Sequence, residues 1–305
     1  MPSDNDKPNL DDLLRVPEVV TDRWSALAIG FRFQQEMLRQ VHDPVPTSNF
    51  AQANAFYPSE KVSDWCRDYL TAALEHAIFW ADFTQPLAFA EDHKVAHRFR
   101  PAQTIGRATL EAASQAVWIL GGGSVRELAR RHLQLIRWDY IERRKSLPMN
   151  QKSIMTVADQ SLLERARTHF SPDELTVPNG YLFIVREAAT IAGADPDASE
   201  AIWRAASGSA HGRRWPAHVL QRIIPGEEYE PGQHRTMQIP DADAITRVIS
   251  TASEASYQGV LRYLHSAGVD IGVAREKAVQ RVGALLPLKP SVDRDELLKR
   301  RPGEF

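Results

Sequence analysis

Between Thr104 and Leu120 the residues Ile105, Ala108, Leu110, Ala112, Ala116, Val117 and Ile119 place apolar side chains nearly all the way round a helix. A helix with no polar face has no favourable place at a surface, so this segment must be the central rod of whatever the chain builds. Two charged residues, Arg107 and Glu111, sit four apart on it. Charge on a buried helix needs a partner, so these two must pair with each other or with charges from a neighbouring helix, and Arg204 is the expected partner of Glu111.

A central rod requires helices around it, and the rest of the chain supplies their patterns. A first long helix is expected after Thr21 as cap and ends near Val41 before Pro44 and Pro46. A second should occupy 62–83, with Trp65, Tyr69, Ala72, Ala73, His76, Phe79 and Trp80 as its core stripe. A piece over 87–98 follows, and Pro101 separates it from the rod. His93 and His97 stand at i, i+4 on that piece, but no third ligand pattern accompanies them, so they read as a wet surface pair. "GGGS" at 121–124 lacks the Gly-Lys-Ser/Thr of a phosphate loop and reads as a turn, with Ser124 and Glu127 capping the next helix, 125–147. That helix carries seven basic against three acidic residues, a local excess that either contacts phosphate or is a solvated face. Further helices are expected near 157–169, after the start signal Ser171-Pro172-Asp173-Glu174, over 180–192 closed by Gly193, from Asp197 through Ala206, over 241–265 closed by Gly268, and over 271–285. Residues 225–240 read as loop, with at most a brief extended pair across "EPGQ".

The expected fold is therefore all-α, a multi-helix bundle of about nine to eleven helices with no substantial sheet. Residues 1–20 read as a flexible N-terminal arm, 21–286 as a single helical domain and 287–305 as a charged tail. A chain of 305 residues with 43% hydrophobic side chains can bury a substantial core without staples. The lone Cys66 excludes an intramolecular disulfide and a cysteine metal cluster, which suits a reducing cytoplasm. The acidic start "MPSDNDKPNLDDLL" lacks the form of a secretory signal, no stretch reaches spanning length, and the expected location is cytoplasmic with no membrane contact. A formal net charge of −2 gives no global field toward nucleic acid, so any such contact must be local.

The stretch that stands out chemically is Trp203–Gly212, "WRAASGSAHG". If its helix continues, Arg204 and His211 are seven residues apart and only roughly 20° apart around the axis, so they share a face. Arg213 and Arg214 follow directly. Ser209 directly follows Gly208, which rules out a Gly-x-Ser-x-Gly nucleophile elbow. Zincin, EF-hand, dinucleotide and kinase patterns are also missing, so no metal and no cofactor is expected. What remains suits phosphate: a histidine that moves protons near neutral pH, cations that neutralise a phosphorane-like transition state, and Ser207 or Ser209 to orient the scissile group.

The spacing Arg204-x6-His211 resembles the Arg-x4–6-His motif of HEPN-type helical domains (higher eukaryotes and prokaryotes nucleotide-binding). The resemblance extends over "RATLEAASQAVWIL" and the long basic helix, giving a core of about 100–270 like that of uncharacterised bacterial helical-bundle proteins. It implies a homodimer in which Arg204 and His211 from two protomers meet at a cleft and cut RNA without metal. It equally implies relatives that have lost activity and serve as interaction or scaffold modules with protein partners. Active members often carry a polar residue directly after the motif arginine, where this chain has Ala205. In the resulting site Arg204 and His211 are catalytic, with Ser207, Ser209, Arg107, Glu111 and Arg213 in support. In the alternative the same cluster is a polar bolt between packed helices.

Overall fold

A computed structural model describes residues 14–88 and 94–287. The arm as far as residue 13, His93 and the tail from 288 lie outside the described residues. In chain order the helices are α1 (Glu18–Arg39), α2 (Asn49–Phe56), α3 (Val62–Thr84), α4 (Phe99–Leu120), α5 (Val125–Ser146), α6 (Lys152–Ala166), α7 (Gly180–Ala192), α8 (Pro196–Ala210), α9 (Ala217–Leu220), α10 (Ala242–Ala267) and α11 (Ile271–Leu285). Single 3-10 turns stand at Met149–Gln151 and Asp173–Leu175. The protein is predominantly all-α, a helical bundle. Among the described residues no helix is long and apolar enough to cross a membrane.

The rod is α4. It packs against α3, α5, α7, α8 and α10, and Ala113, Ala116, Val117 and Ile119 are fully buried on it. Its tightest partner is α10, and Gly106 makes that approach feasible: a Cβ there would lie 2.7 Å from Val248 Cγ2. Gly259 does the same for α10 against α3, where a Cβ would stand 2.6 Å from Leu70 Cδ2. Polar bolts supplement the packing. Trp24 Nε1 on α1 donates to Thr246 Oγ1 at 2.7 Å, Gln103 Nε2 to the Ala244 carbonyl at 3.2 Å, and Ser256 Oγ to Gln34 Oε1 at 2.6 Å. Each satisfies a buried polar group that would otherwise cost about 1–3 kcal/mol.

Several boundaries differ from those the sequence suggests, each for a local reason. Pro101 does not separate two helices; it sits in the first turn of α4, where a missing N–H costs nothing. The piece expected over 87–98 is not helical at 94–98, and the His97 ring packs edge-on against Trp24 and Phe83 rather than standing wet at the surface. Helix α1 starts three residues before Thr21, behind Pro17. On α3 the buried stripe is Cys66, Leu70, Ala73, Leu74, Ala77, Trp80 and Ala81, which turns Phe79 outward at 67% exposure and leaves His76 exposed. The "SPDE" signal forms its reciprocal cap, with Ser171 N donating to Glu174 Oε2 at 2.9 Å, but the helix stops after one 3-10 turn. Helix α8, expected from Asp197, starts one residue earlier at Pro196, with Asp195 as its cap accepting from the amides of Asp197 and Ala198.

The largest departure is at 221–240. Residues 225–240, expected as loop with at most a brief extended pair across "EPGQ", belong with 221–224 to a full antiparallel β-hairpin that turns at that point, β1 (Gln221–Glu230) and β2 (Gln233–Pro240), the one sheet among the described residues. The turn is Pro231-Gly232, and Gly232 has φ +73°, the proline-then-glycine signature of a type II turn. Ile223 and Ile224 at the stem and Thr236 across from Pro225 supply β-branched residues, although most of the ribbon is exposed.

Candidate functional site

Helix α8 buries Ser199, Ala205, Ala206, Gly208 and Ser209 against the bundle, which turns Arg204 outward. The helix ends in a Schellman motif. Gly212 adopts φ +70°, its amide donates to the Ser209 carbonyl at 3.0 Å, and the Arg213 amide donates to the Gly208 carbonyl at 2.9 Å. His211 is the residue at the cap, so its exposed ring is carried on an ordered backbone at the negative end of the helix dipole. Beyond the turn the chain folds back over α8. A Cβ on Gly208 would stand 2.9 Å from Pro216 Cγ and 3.2 Å from Trp215 Cζ2, so the absence of a side chain at 208 is what lets the Trp215 indole lie against the helix.

The result is a surface depression of about 360 Å³ lined by Trp203, Arg204, Ser207, Gly208, His211, Arg213 and Trp215. Four of the expected site residues, Arg204, Ser207, His211 and Arg213, are thus brought together. The other three are placed elsewhere. Ser209 is 1% exposed, its hydroxyl has no partner, and its carbonyl receives Arg100 Nη1 at 2.8 Å, so it cannot orient a substrate in the depression. Arg107 and Glu111 pair with each other on α4, Nε to Oε1 at 2.8 Å. They meet the site only through Trp203, whose Nε1 donates to Glu111 Oε1 at 2.7 Å while its ring lines the depression.

Arg204 is not the partner of Glu111. Its Nε donates to Glu200 Oε1 at 2.6 Å, one turn earlier on the same helix, and Glu200 also pairs with Arg186, which in turn holds Asp197 at 2.7 Å. Hydrogen bonds first from Arg204 and then from Arg186 hold the Glu200 carboxyl below the usual carboxylate range. One guanidinium of the motif is therefore already shared with a carboxylate. His211, Arg213 and Arg214 are exposed and make no side-chain hydrogen bond or ion pair among the described residues.

The basic helix α5 behaves differently from a phosphate-binding face. Glu127 takes Arg130 and Arg131, Asp159 takes Arg137 and Glu174 takes Arg126, which leaves Arg143 and Arg144 without an ion-pair partner among the described residues. Among the described residues no three His, Cys, Asp or Glu side chains converge as a metal site.

No family model, curated protein or solved structure matches this chain. Function must be argued from the depression itself. Two of its residues carry no signal of their own in the sequence. Trp203 lies inside the motif but has the character of a core residue, and Trp215 lies just outside it. The signal that could have found Trp215 is Gly208, a helical glycine seven residues upstream that is needed only if something bulky returns over the helix.

Proposed function

We propose that this chain is a metal-independent RNA-cleaving or RNA phosphate-binding protein of HEPN-like character, acting at the Arg204–His211 depression. The observation that carries this reading is the composition of that surface: His211, Arg213 and Arg204 converge with the Ser207 hydroxyl, and no carboxylate lines the depression among the described residues. Guanidinium groups bind phosphate as planar donors, and an imidazole with no competing partner is free to transfer a proton.

Cleavage of an RNA strand at such a site proceeds by attack of the ribose 2′-oxygen on the adjacent phosphorus. A base removes the 2′-hydroxyl proton as the O–P bond forms, and an acid protonates the 5′-oxygen as its bond to phosphorus breaks. Arg213 and Arg204 stabilise the charge that accumulates on the phosphoryl oxygens between these events. One chain supplies one imidazole to the depression, which can serve one of the two proton transfers. A homodimer presenting two depressions to one strand supplies both, and this is the assembly the reading requires.

A second reading is a non-catalytic interaction module. It is favoured by the Arg204–Glu200 ion pair, which already engages the Nε of the motif arginine, and by the structural use of Arg107 and Glu111. One experiment separates the two. Purified protein is incubated with single-stranded RNA in excess chelator, alongside His211→Ala and Arg204→Ala. Cleavage by the wild type, lost in both variants with helicity unchanged by circular dichroism, supports the first reading. Intact RNA and no RNA binding at high protein concentration overturn it, and loss of an assembly on size exclusion in Arg204→Ala then supports the second.

A further inference from the structure

At the stem of the hairpin lies a second cleft, of about 460 Å³, walled by the approach to α1 (14–17), the extended segment 95–98, and β2 where it enters α10. This volume falls within the roughly 300–1,000 Å³ range of small-ligand pockets. Three arginines reach it from three different elements: Arg15, Arg98 and Arg222. All three are exposed and none makes a side-chain hydrogen bond or ion pair among the described residues. In a protein whose formal net charge is −2 this is an unusual concentration of one sign, and no carboxylate lines the cleft among the described residues.

The backbone adds to the same sign. Helix α4 starts beside the cleft with Arg98 at its N-cap position, no side chain caps that end, and its first turn holds no acidic residue. The positive end of a helix of 22 residues therefore starts at a residue, Arg98, that lines the cleft. The floor is of opposite character. Trp24, Ile239 and Ile245 are buried there, and Met237, Val16 and Val95 complete an apolar wall. The Trp24 indole is held in place by its bond to Thr246, and the His97 ring packs against it at 4.6 Å between centroids.

We infer that this cleft binds a small amphipathic organic anion, with the anionic head among Arg15, Arg98 and Arg222 and an apolar body on the Trp24–Ile239–Ile245 floor. Inorganic phosphate would satisfy the arginines and leave the floor uncovered. A neutral apolar compound would do the reverse. Only a molecule with both parts matches both surfaces, and the site is independent of the Arg204–His211 depression.

The full chain is titrated with anilinonaphthalene sulfonate by fluorescence, with decanoate and inorganic phosphate as competitors. The expected result is saturable binding that decanoate displaces and phosphate at equal concentration does not. Arg98→Ala/Arg222→Ala should weaken binding about tenfold or more, as expected for losing charge-assisted hydrogen bonds. Arg98→Lys/Arg222→Lys should keep most of the affinity, and Arg213→Ala in the other depression should leave it unchanged. Equal binding by the wild type and the double alanine variant overturns the site, as does loss of binding in Arg213→Ala. Displacement by phosphate as effective as by decanoate overturns its amphipathic character. If the alanine pair fails to fold, Arg98→Ala and Arg222→Ala are titrated singly: weakened binding in each supports the site, and wild-type affinity in both overturns it.

Discussion

Lowering the pH from 7.5 to 4 should destabilise this protein through one buried histidine, and the size of the effect follows from its surroundings. His132 on α5 is 2% exposed; its Nε2 lies 3.0 Å from the Glu60 carbonyl and its Nδ1 has no partner. Burial pushes its pKa down to about 4, with the Glu60 carbonyl and the Asp64 charge opposing only in part. The unfolded chain holds this group near its ordinary value of about 6.5, so between those values the unfolded state binds the extra proton and stability falls as pH falls. Linkage puts the loss at about 2 kcal/mol by pH 5 and about 3 kcal/mol by pH 4. His97, whose pKa burial also lowers, adds in the same direction. Depressed carboxylates such as Glu127 lose their contribution only as pH falls below the ordinary carboxylate range, and Asp139, which burial pushes up, acts in the opposite sense. Urea unfolding at pH 7.5, 5.5, 5.0 and 4.0 on the wild type and on His132→Gln isolates the histidine's contribution. Glutamine keeps a donor for the Glu60 carbonyl but cannot titrate. The variant should lose stability at pH 7.5 from imperfect packing yet show a shallower pH dependence by about 2 kcal/mol between pH 7.5 and 5. Parallel pH profiles would refute the assignment.

Two further outcomes test the packing. Gly106→Ala places a methyl 2.7 Å from Val248 Cγ2 in the α4–α10 seam and should cost about 1–3 kcal/mol in thermal or urea unfolding, as overpacked cores do; a neutral result would mean that the seam can slide. Cys66 is fully buried and burial pushes its thiol pKa up, so a thiol reagent should fail to label it in the native state and label one equivalent in urea; rapid native labelling would contradict the packing of α3.

Much of the architecture is legible in the sequence because caps and apolar period act locally. Ser124 accepts from the Glu127 amide, Gly193 and Gly268 take left-handed conformations, and Asp241 caps α10, all at positions where residue type alone points to the role. The departures are equally physical. The stripe expected on α3 is right at Ala73 and Trp80 but turned too far toward Phe79 and His76, because Phe79 is apolar without being buried while Leu70, Leu74 and the small Ala77 are. Composition alone hides the hairpin: a strand rich in Glu and Gln has weak propensity, and the ribbon is set by pairing across Pro231-Gly232 rather than by an apolar alternation. Pro101 misleads for the opposite reason, since proline breaks helices in their interiors and is accepted in their first turns.

At the site the decisive residue lies just upstream of the motif. Glu200 precedes Arg204 by four residues, the spacing at which opposite charges meet on a helix, and the structure puts them in contact. The sequence points across the bundle to Arg204 as the partner of Glu111, because a carboxylate on the buried rod needs one. Arg204 faces outward instead, about half exposed, so the need for a distant carboxylate disappears. Glu111 then turns to Trp203, whose indole N–H is a donor without charge and therefore leaves no trace in a count of ion pairs. The exchange separates the motif into two parts with different physics. Arg107, Glu111 and the edge of Trp203 form a satisfied network against α4, while Arg204, Ser207, His211 and Arg213 surround a depression behind which Glu200 holds Arg204. A phosphate that engages Arg204 through its Nη groups shares the guanidinium with the Glu200 carboxylate, whereas Arg213 and His211 carry no such partner among the described residues. In the proposed reading, the weight of anion binding therefore falls on the turn after α8 more than on the helical arginine that first marks the motif.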